Sequence, residues 1–357
     1  MRVLQIMARM NVGGTAVYLE NLQSALIQQG IQSPLAIGHV QAPEIEDECV
    51  ASMEIIRVKN LKRAISPLTD LLAFFQLWRI VRRVKPDLIH THTFKAGALG
   101  RLIPFSGKRV HTFHGHILSD GSLSKAKVQI VIKLEQFLAK RSDALISVGQ
   151  VVANQLREVG IGNHQRWESM PPGCEKPKLP DRQSANKRLG LEGDRIRIGW
   201  LGRMIDVKDP DLLLEIAKER PEIEFLMAGG GEELERIRDA APANVRVLGW
   251  VDRADLLAAI DLLVMTSKSE GMPLAAIEAQ LCGIRVVAPD VGSLAEVLPN
   301  GVIVERSVQA FCKGIDQALQ NPMNQDELAW AEKNFSVDKM GERHAKLYSE
   351  LIKGFKS

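Results

Sequence analysis

Apolar positions along the chain fall into two alternating patterns: short continuous runs rich in Val, Ile and Leu, and longer segments in which apolar residues return every three or four positions. The first pattern suits strands buried on both faces of a sheet, and the second suits amphipathic helices laid over it. Strands are predicted at 3–8 (VLQIMA), 33–40 (SPLAIGHV), 87–92 (DLIHTH), 109–115 (RVHTFHG) and 144–149 (ALISVG), with helices between them. A second series is predicted at 196–202, 223–229, 245–250, 261–267, 285–290 and 302–305, each of the first five followed by a helical segment. Residues 173–194, between the two series, are rich in Pro, Lys and Gly and read as a linker.

Strand–helix alternation predicts parallel sheets covered by helices, and 357 residues exceed what one ordinary core holds. The expected fold class is therefore α/β, with two doubly wound, Rossmann-like domains, 1–172 and 195–335, facing each other across a cleft. Ligands of such sheets bind beyond the carboxyl ends of the strands. The loops that follow strands are the places to look for chemistry.

Composition excludes several classes. The chain is 45% hydrophobic and 25% charged, as globular proteins are, without a low-complexity tract or a repeat. No apolar run approaches the roughly 18 residues of a membrane span, and the first residues lack the features of a signal peptide, so the expected location is the cytoplasm. Cys49, Cys174, Cys282 and Cys312 are scattered without C-x-x-C spacing and read as reduced thiols. Charge is uneven: residues 1–170 hold 21 Lys and Arg against 13 Asp and Glu, while 171–357 hold 25 against 30. Basic clusters at 57–64, 78–85 and 125–141 read as solvated helix faces, with peripheral contact to anionic lipid as the sharper alternative. Nucleic acid is not an expected partner, because no recognition motif accompanies the charge.

Four loops carry candidate chemistry. In ARMNVGGTAVYLENL, Gly13 and Gly14 separate a strand from a helix, letting backbone N–H groups approach a phosphate or a sugar. The sequence there is neither G-x-G-x-x-G nor G-x-x-x-x-G-K-[ST], which disfavours NAD and P-loop nucleotides. In WLGRMIDVKDPDLLLEIAK, Arg203 and Lys208 are spaced to converge on a diphosphate. Asp209 and Pro210 there read as N-cap and first helical residue rather than as part of a metal-binding D-x-D. In MAGGGEELERI, three glycines, Gly230 central, precede a helix.

The fourth loop, SKSEGMPLAAIEAQLCG, places Glu270 in a turn, Pro273 in the first helical turn and Gly283 at the C-terminal cap. Glu278 then lies about five residues into the helix, and the backbone N–H groups of Gly271, Met272 and Leu274 fall between the two carboxylates. A carboxylate at each end of a row of amide donors can hold hydroxyls on both sides of a phosphate, as a nucleotide sugar requires. Histidines form a separate group. His90, His92, His111, His114 and His116 lie on adjacent first-domain strands without nearby carboxylates or an H-E-x-x-H helix, so no metal is expected. Of these, His114 and His116 are expected to bond a polar ligand, and His90 and His111 to be structural.

Together these motifs resemble the retaining GT-B glycosyltransferases of family 4, also called glycosyl transferases group 1. The likeness spans nearly the whole chain: NVGG, HTHTFKAGALGRL, HTFHGH, GRMIDVK, AGGGEELERI, GWV and SEGMPLAAIEAQLCGIRVVAPDVGSLAEV. It implies that Arg203 and Lys208 bind the donor diphosphate, Glu270 and His114 contact the transferred sugar, and Glu278 holds the ribose. Gly13, Gly14, Gly230, Val251, Gly271, Met272, Pro273 and Leu274 would line the donor site, and Glu296 matches a family position. The likeness also implies that a C-terminal helix, 336–353, returns to the first domain. Three departures are Pro172-Gly173-Cys174-Glu175 at the junction, Gly292-Ser293 in place of Gly-Gly, and Asp209 in place of Gly.

The implied reaction moves a sugar from a nucleoside-diphosphate sugar, UDP-linked before GDP-mannose, to a hydroxyl of a glycan or lipid-linked acceptor, without cofactor or metal. No carboxylate is placed for double displacement, which favours same-face attack with a phosphate oxygen accepting the proton. A sugar-nucleotide epimerase and a bilobal sugar-binding protein are the rivals; the E-x7-E context opposes the first and the absent export signal the second.

Overall fold

The computed structural model describes residues 1–42, 44–115, 124–193, 195–271, 273–299 and 301–356. His116 and Met272 lie outside these described residues, and so do the expectations attached to them. The chain divides into two units, Met1–Gly173 with Val337–Ser357, and Cys174–Ser336.

Seven parallel strands form the sheet of the first unit: β1 (Val3–Met7), β2 (Leu35–Ile37), β3 (Ile55–Arg57), β4 (Leu88–His92), β5 (Lys108–Phe113), β6 (Ala144–Ser147) and β7 (Arg166–Ser169). Their spatial order is β3-β2-β1-β4-β5-β6-β7, so winding reverses between β1 and β4. Every residue of β1, β2, β4 and β6 is buried, which is why those strands read as unbroken runs. Short β3 and β7, at the two edges, escaped the pattern because IIR and RWES are partly exposed and carry charge.

The final helix, Val337–Lys356, belongs to the first unit and packs along helix Gly14–Gln28. Met340, Leu347 and Tyr348 enter the same core as Leu19, Leu22 and Leu26. Gly341 permits the close approach, since a Cβ there would stand 2.8 Å from the Cβ of Ala25.

The second unit has six parallel strands: β8 (Arg197–Leu201), β9 (Glu224–Ala228), β10 (Val245–Gly249), β11 (Leu262–Val264), β12 (Arg285–Pro289) and β13 (Val302–Val304). All six predicted positions hold a strand, in the order β10-β9-β8-β11-β12-β13, with the reversal between β8 and β11. The expected linker is a different matter. Residues 182–189 form a helix, Arg182–Leu189, that begins at the Asp181 cap and ends at left-handed Gly190, and it belongs to the second unit. Its Arg188 bonds Asp255 of helix Arg253–Ala259, so the Pro- and Lys-rich composition concealed a packed element.

Candidate active site

The loops after β8 and β11 stand side by side at the reversal point of the second sheet, and both carry the predicted charges. Lys208 lies in the short 3-10 turn Asp206–Lys208, and its ammonium is paired with the carboxylate of Glu270. Glu270 is nearly buried and also accepts a hydrogen bond from Ser267 Oγ at 2.6 Å. The two loops are stitched together by Thr266, whose hydroxyl lies 2.9 and 2.8 Å from the carbonyl oxygens of Lys208 and Asp209 and accepts the Trp200 indole N–H at 3.0 Å. Lys268 N donates to Val207 O at 2.9 Å, closing the seam. Arg203, on the same loop, is exposed and has no ion-pair partner among the described residues. One loop thus carries an exposed guanidinium and a half-buried ammonium, the second held by a carboxylate.

Glu270 is also held from behind. Gly292, in the loop after β12, has φ +56, and a Cβ there would stand 1.7 Å from the carbonyl oxygen of Glu270. Only glycine fits this approach. At the Gly292-Ser293 departure, Ser293 N donates to Gly271 O at 3.1 Å, while the Ser293 hydroxyl is buried and has no hydrogen-bond partner among the described residues.

Pro273 occupies the N-cap position, one residue earlier than predicted, and the helix runs Leu274–Leu281. The cap residue's φ of −74° and ψ of 123° is extended, which a proline adopts without strain. Cys282 closes the helix, and Gly283 follows in the left-handed conformation. Glu278, fifth in this helix, is buried and accepts from Arg253 Nη1 at 2.6 Å. Burial raises its carboxyl above the usual range, with Arg253 opposing. Sequence reasoning missed Arg253, although its place just after the N-cap Asp252 was a visible signal.

The glycine triplet serves the loop after β8. Gly230 O accepts from Met204 N at 2.8 Å, and Cβ atoms on Gly229 and Gly231 would strike the backbone oxygens of Gly202 and Met204. A Cβ on Gly230 would meet the exposed Trp250 indole at 2.4 Å, which sets Gly230 beside the loop carrying half-buried Val251. Asp209 is the N-cap of helix Pro210–Glu219, but its side chain makes no capping bond. It stands at φ 49, where glycine is easier, and its carboxylate pairs with Arg306 instead. Glu296 lies on the short helix Leu294–Val297.

In the first unit, Gly13 is the N-cap of helix Gly14–Gln28 at φ +149, and no atom of the described residues lies within 4 Å of where its Cβ would stand. His114 follows β5, half-buried, with Nε2 3.1 Å from His92 Nδ1 and its ring edge-on to Tyr18. His90 and His111 are structural: His90 bonds Tyr348 and Thr112, both at 2.7 Å, and His111 bonds Thr91 at 2.8 Å. His344 Nδ1 lies 2.8 Å from Met340 O, so Nδ1 carries the proton and Nε2 accepts from Tyr18 OH at 3.3 Å. Burial, with neighbouring His344, brings His114 down to about 4; burial likewise brings His344 to about 4, and His90, His92 and His111 well below their ordinary value. These rings are neutral at pH 7.

Two doubly wound parallel sheets of this kind are the architecture of the GT-B glycosyltransferases. The chain belongs to that group: residues 12–175 match the model of Glycosyltransferase Family 4, and residues 195–321 that of Glycosyl transferases group 1. It is 26% identical over 335 residues, 84% of this chain and 85% of the relative, to the Escherichia coli UDP-Gal:alpha-D-GlcNAc-diphosphoundecaprenol alpha-1,3-galactosyltransferase. Over 239 residues, 60% of this chain, it is 30% identical to the D-inositol 3-phosphate glycosyltransferase of Mycobacterium sp. (strain KMS), of which the match spans 54%. Among solved structures, Anabaena HepE in complex with UDP and glucose superposes with a TM-score of 0.82 at 19% identity, covering 98% of this chain and 100% of that one.

Proposed function

We propose that this glycosyltransferase moves a hexose or N-acetylhexosamine from a UDP-sugar to a hydroxyl of a lipid-linked glycan, with retention of anomeric configuration and without a metal ion. The observation that carries this reading is the Lys208–Glu270 pair at the reversal point, beside exposed Arg203 and the start of helix Leu274–Leu281. A leaving diphosphate gathers negative charge, which Arg203, Lys208 and the unpaired N–H groups of that helix start offset by preorganised electrostatics. As donor arrives, Lys208 exchanges Glu270 for phosphate oxygens, freeing the carboxylate to accept hydrogen bonds from sugar hydroxyls. Glu278, kept company by Arg253, takes the ribose hydroxyls. The acceptor attacks from the face the phosphate leaves, and a phosphate oxygen takes its proton. UDP is favoured over GDP by two similar proteins, the E. coli galactosyltransferase that takes UDP-Gal and HepE in complex with UDP and glucose; GDP-mannose is second.

A direct test measures nucleotide release from UDP-glucose, UDP-galactose, UDP-GlcNAc and GDP-mannose, with and without a polyprenyl-diphosphate sugar, in EDTA. Acceptor-dependent UDP release and an α-linked product by NMR are expected. Preference for GDP-mannose, a β-linked product, or collapse of activity in EDTA would each overturn the corresponding part.

A further inference from the structure

Helix Pro67–Val84 of the first unit has two apolar faces. Ala73, Leu77, Ile80 and Val81 form the one buried on the sheet. On the other, Leu68, Leu71, Leu72 and Phe75, preceded by Ile65, are 43% to 78% exposed. At 100° per residue, 68, 71, 72 and 75 project opposite the buried stripe, and Arg79, Arg82 and Arg83, all exposed, continue that outward strip towards the C-terminus. Arg82 is held there over the Trp78 ring at 5.0 Å. One large apolar side chain at a surface is unremarkable; five in eleven residues, aligned and followed by cations, form a patch that asks for a partner.

A second helix repeats the arrangement. Lys125–Ala139 exposes Ile130 and Phe137 together with Lys133, and Arg141 lies over the Phe137 ring at 4.8 Å. Both helices pack against Phe94–Leu102, so they lie in one layer on one face of the sheet. Each has a single acidic residue, and in each it is committed inward: Asp70 pairs with Lys95, and fully buried Glu135 pairs with Arg101, which donates at 2.8 Å to both carboxylate oxygens. The outward strips therefore combine apolar side chains and positive charge without a competing carboxylate of their own.

We propose that this layer docks on an anionic lipid bilayer, with Leu68, Leu71, Leu72, Phe75, Ile130 and Phe137 entering the interfacial zone and the flanking Arg and Lys meeting headgroup phosphates. Amphipathic helices rich in Lys and Arg bind membranes in this way, by apolar insertion joined to attraction for anionic lipid. A second copy using the same face would set like charges against one another. Among the described residues no helix is long and apolar enough to cross a membrane, so contact through this layer is interfacial. The inference deepens the proposed lipid-linked acceptor by naming the surface that meets the membrane holding it.

The test is sedimentation of the full chain with vesicles of phosphatidylcholine alone or with 30% phosphatidylglycerol, the latter across a salt series. Expected is binding to the anionic vesicles only, weakened by salt, and lowered at least ten-fold both by Leu68→Gln/Leu72→Gln/Phe75→Gln and by Arg79→Glu/Arg83→Glu. Absent binding of the wild type at low salt, or binding by either variant equal to that of the wild type, overturns the proposal, as does concentration-dependent dimerisation of the wild type that the apolar variant abolishes. In parallel, the rise in melting temperature with UDP and transfer to a short-chain soluble acceptor are followed in every protein. Transfer without vesicle binding sinks the docking surface alone; vesicle binding without transfer sinks the proposed reaction alone.

Discussion

Around the strand ends β4 and β5 the first unit gathers rings: His90, His92, His111 and His114, joined by Tyr18, His344 and Tyr348. Around β8 and β11 the second unit gathers charges: Arg203, Lys208 and Glu270, with Glu278 and Arg253 nearby along the chain. Both sheets reverse their winding at the corresponding point, so topology alone does not decide what a reversal point holds. Neutral rings can be buried because each proton finds a fixed partner. On the proposed reading Lys208 trades Glu270 for a ligand, and its ammonium is only half-buried, where leaving one partner costs less than in a core.

The sharpest way to break this contrast is to remove the exchangeable cation. Lys208→Ala is expected to lower kcat on the order of a hundred- to a thousand-fold, as loss of one preorganised donor does, while the melting profile stays near wild type. Unchanged turnover would strip Lys208 of its role.

Acid should separate the units next. His344, fully buried and brought to about 4, is stabilising in its neutral form above the unfolded value near 6.5 and loses that contribution as pH falls to about 4. The loss is about 3 kcal/mol for this group alone, at 1.36 kcal/mol per pKa unit. Glu278 moves oppositely: its raised carboxyl binds a proton more readily folded than unfolded, so its burial becomes less costly as pH falls. Urea midpoints between pH 7 and 4 should fall steeply in the wild type and less steeply in His344→Gln; parallel slopes would discard the neutral-ring account.

The smallest effect is expected at Arg253. Because its guanidinium is half exposed while Glu278 is buried, Arg253→Ala should raise KM for the nucleotide sugar roughly ten-fold, about 1.4 kcal/mol, and leave kcat within a factor of two. A kcat loss instead would move Arg253 from donor binding into the chemical step.

Much of this was legible before any coordinates. The six strands of the second unit, and the places of Lys208 and Glu270 in loops that follow two of them, are read from local patterns: continuous apolar runs, a cap, a proline; that the lysine and the glutamate pair with each other was not. What stayed hidden depends on distant partners. Gly292 matters because of an oxygen 22 positions earlier in the chain, and Thr266 because of carbonyls on another loop. The helix at Arg182–Leu189 was obscured for another reason: it buries only Ala185, so it leaves little apolar period to detect, although Asp181 and Gly190 marked its ends.

The return of helix Val337–Lys356 to the first unit also has a meaning in time. Tyr348, hydrogen-bonded to His90, is made after the whole of the second unit. At about 5 to 20 residues per second of synthesis, the nascent first unit waits on the order of ten to forty seconds with His90 and helix Gly14–Gln28 uncovered. Cys174–Ser336, being continuous in the chain, has all its parts before then. The segment that starts first is thus the one that finishes last.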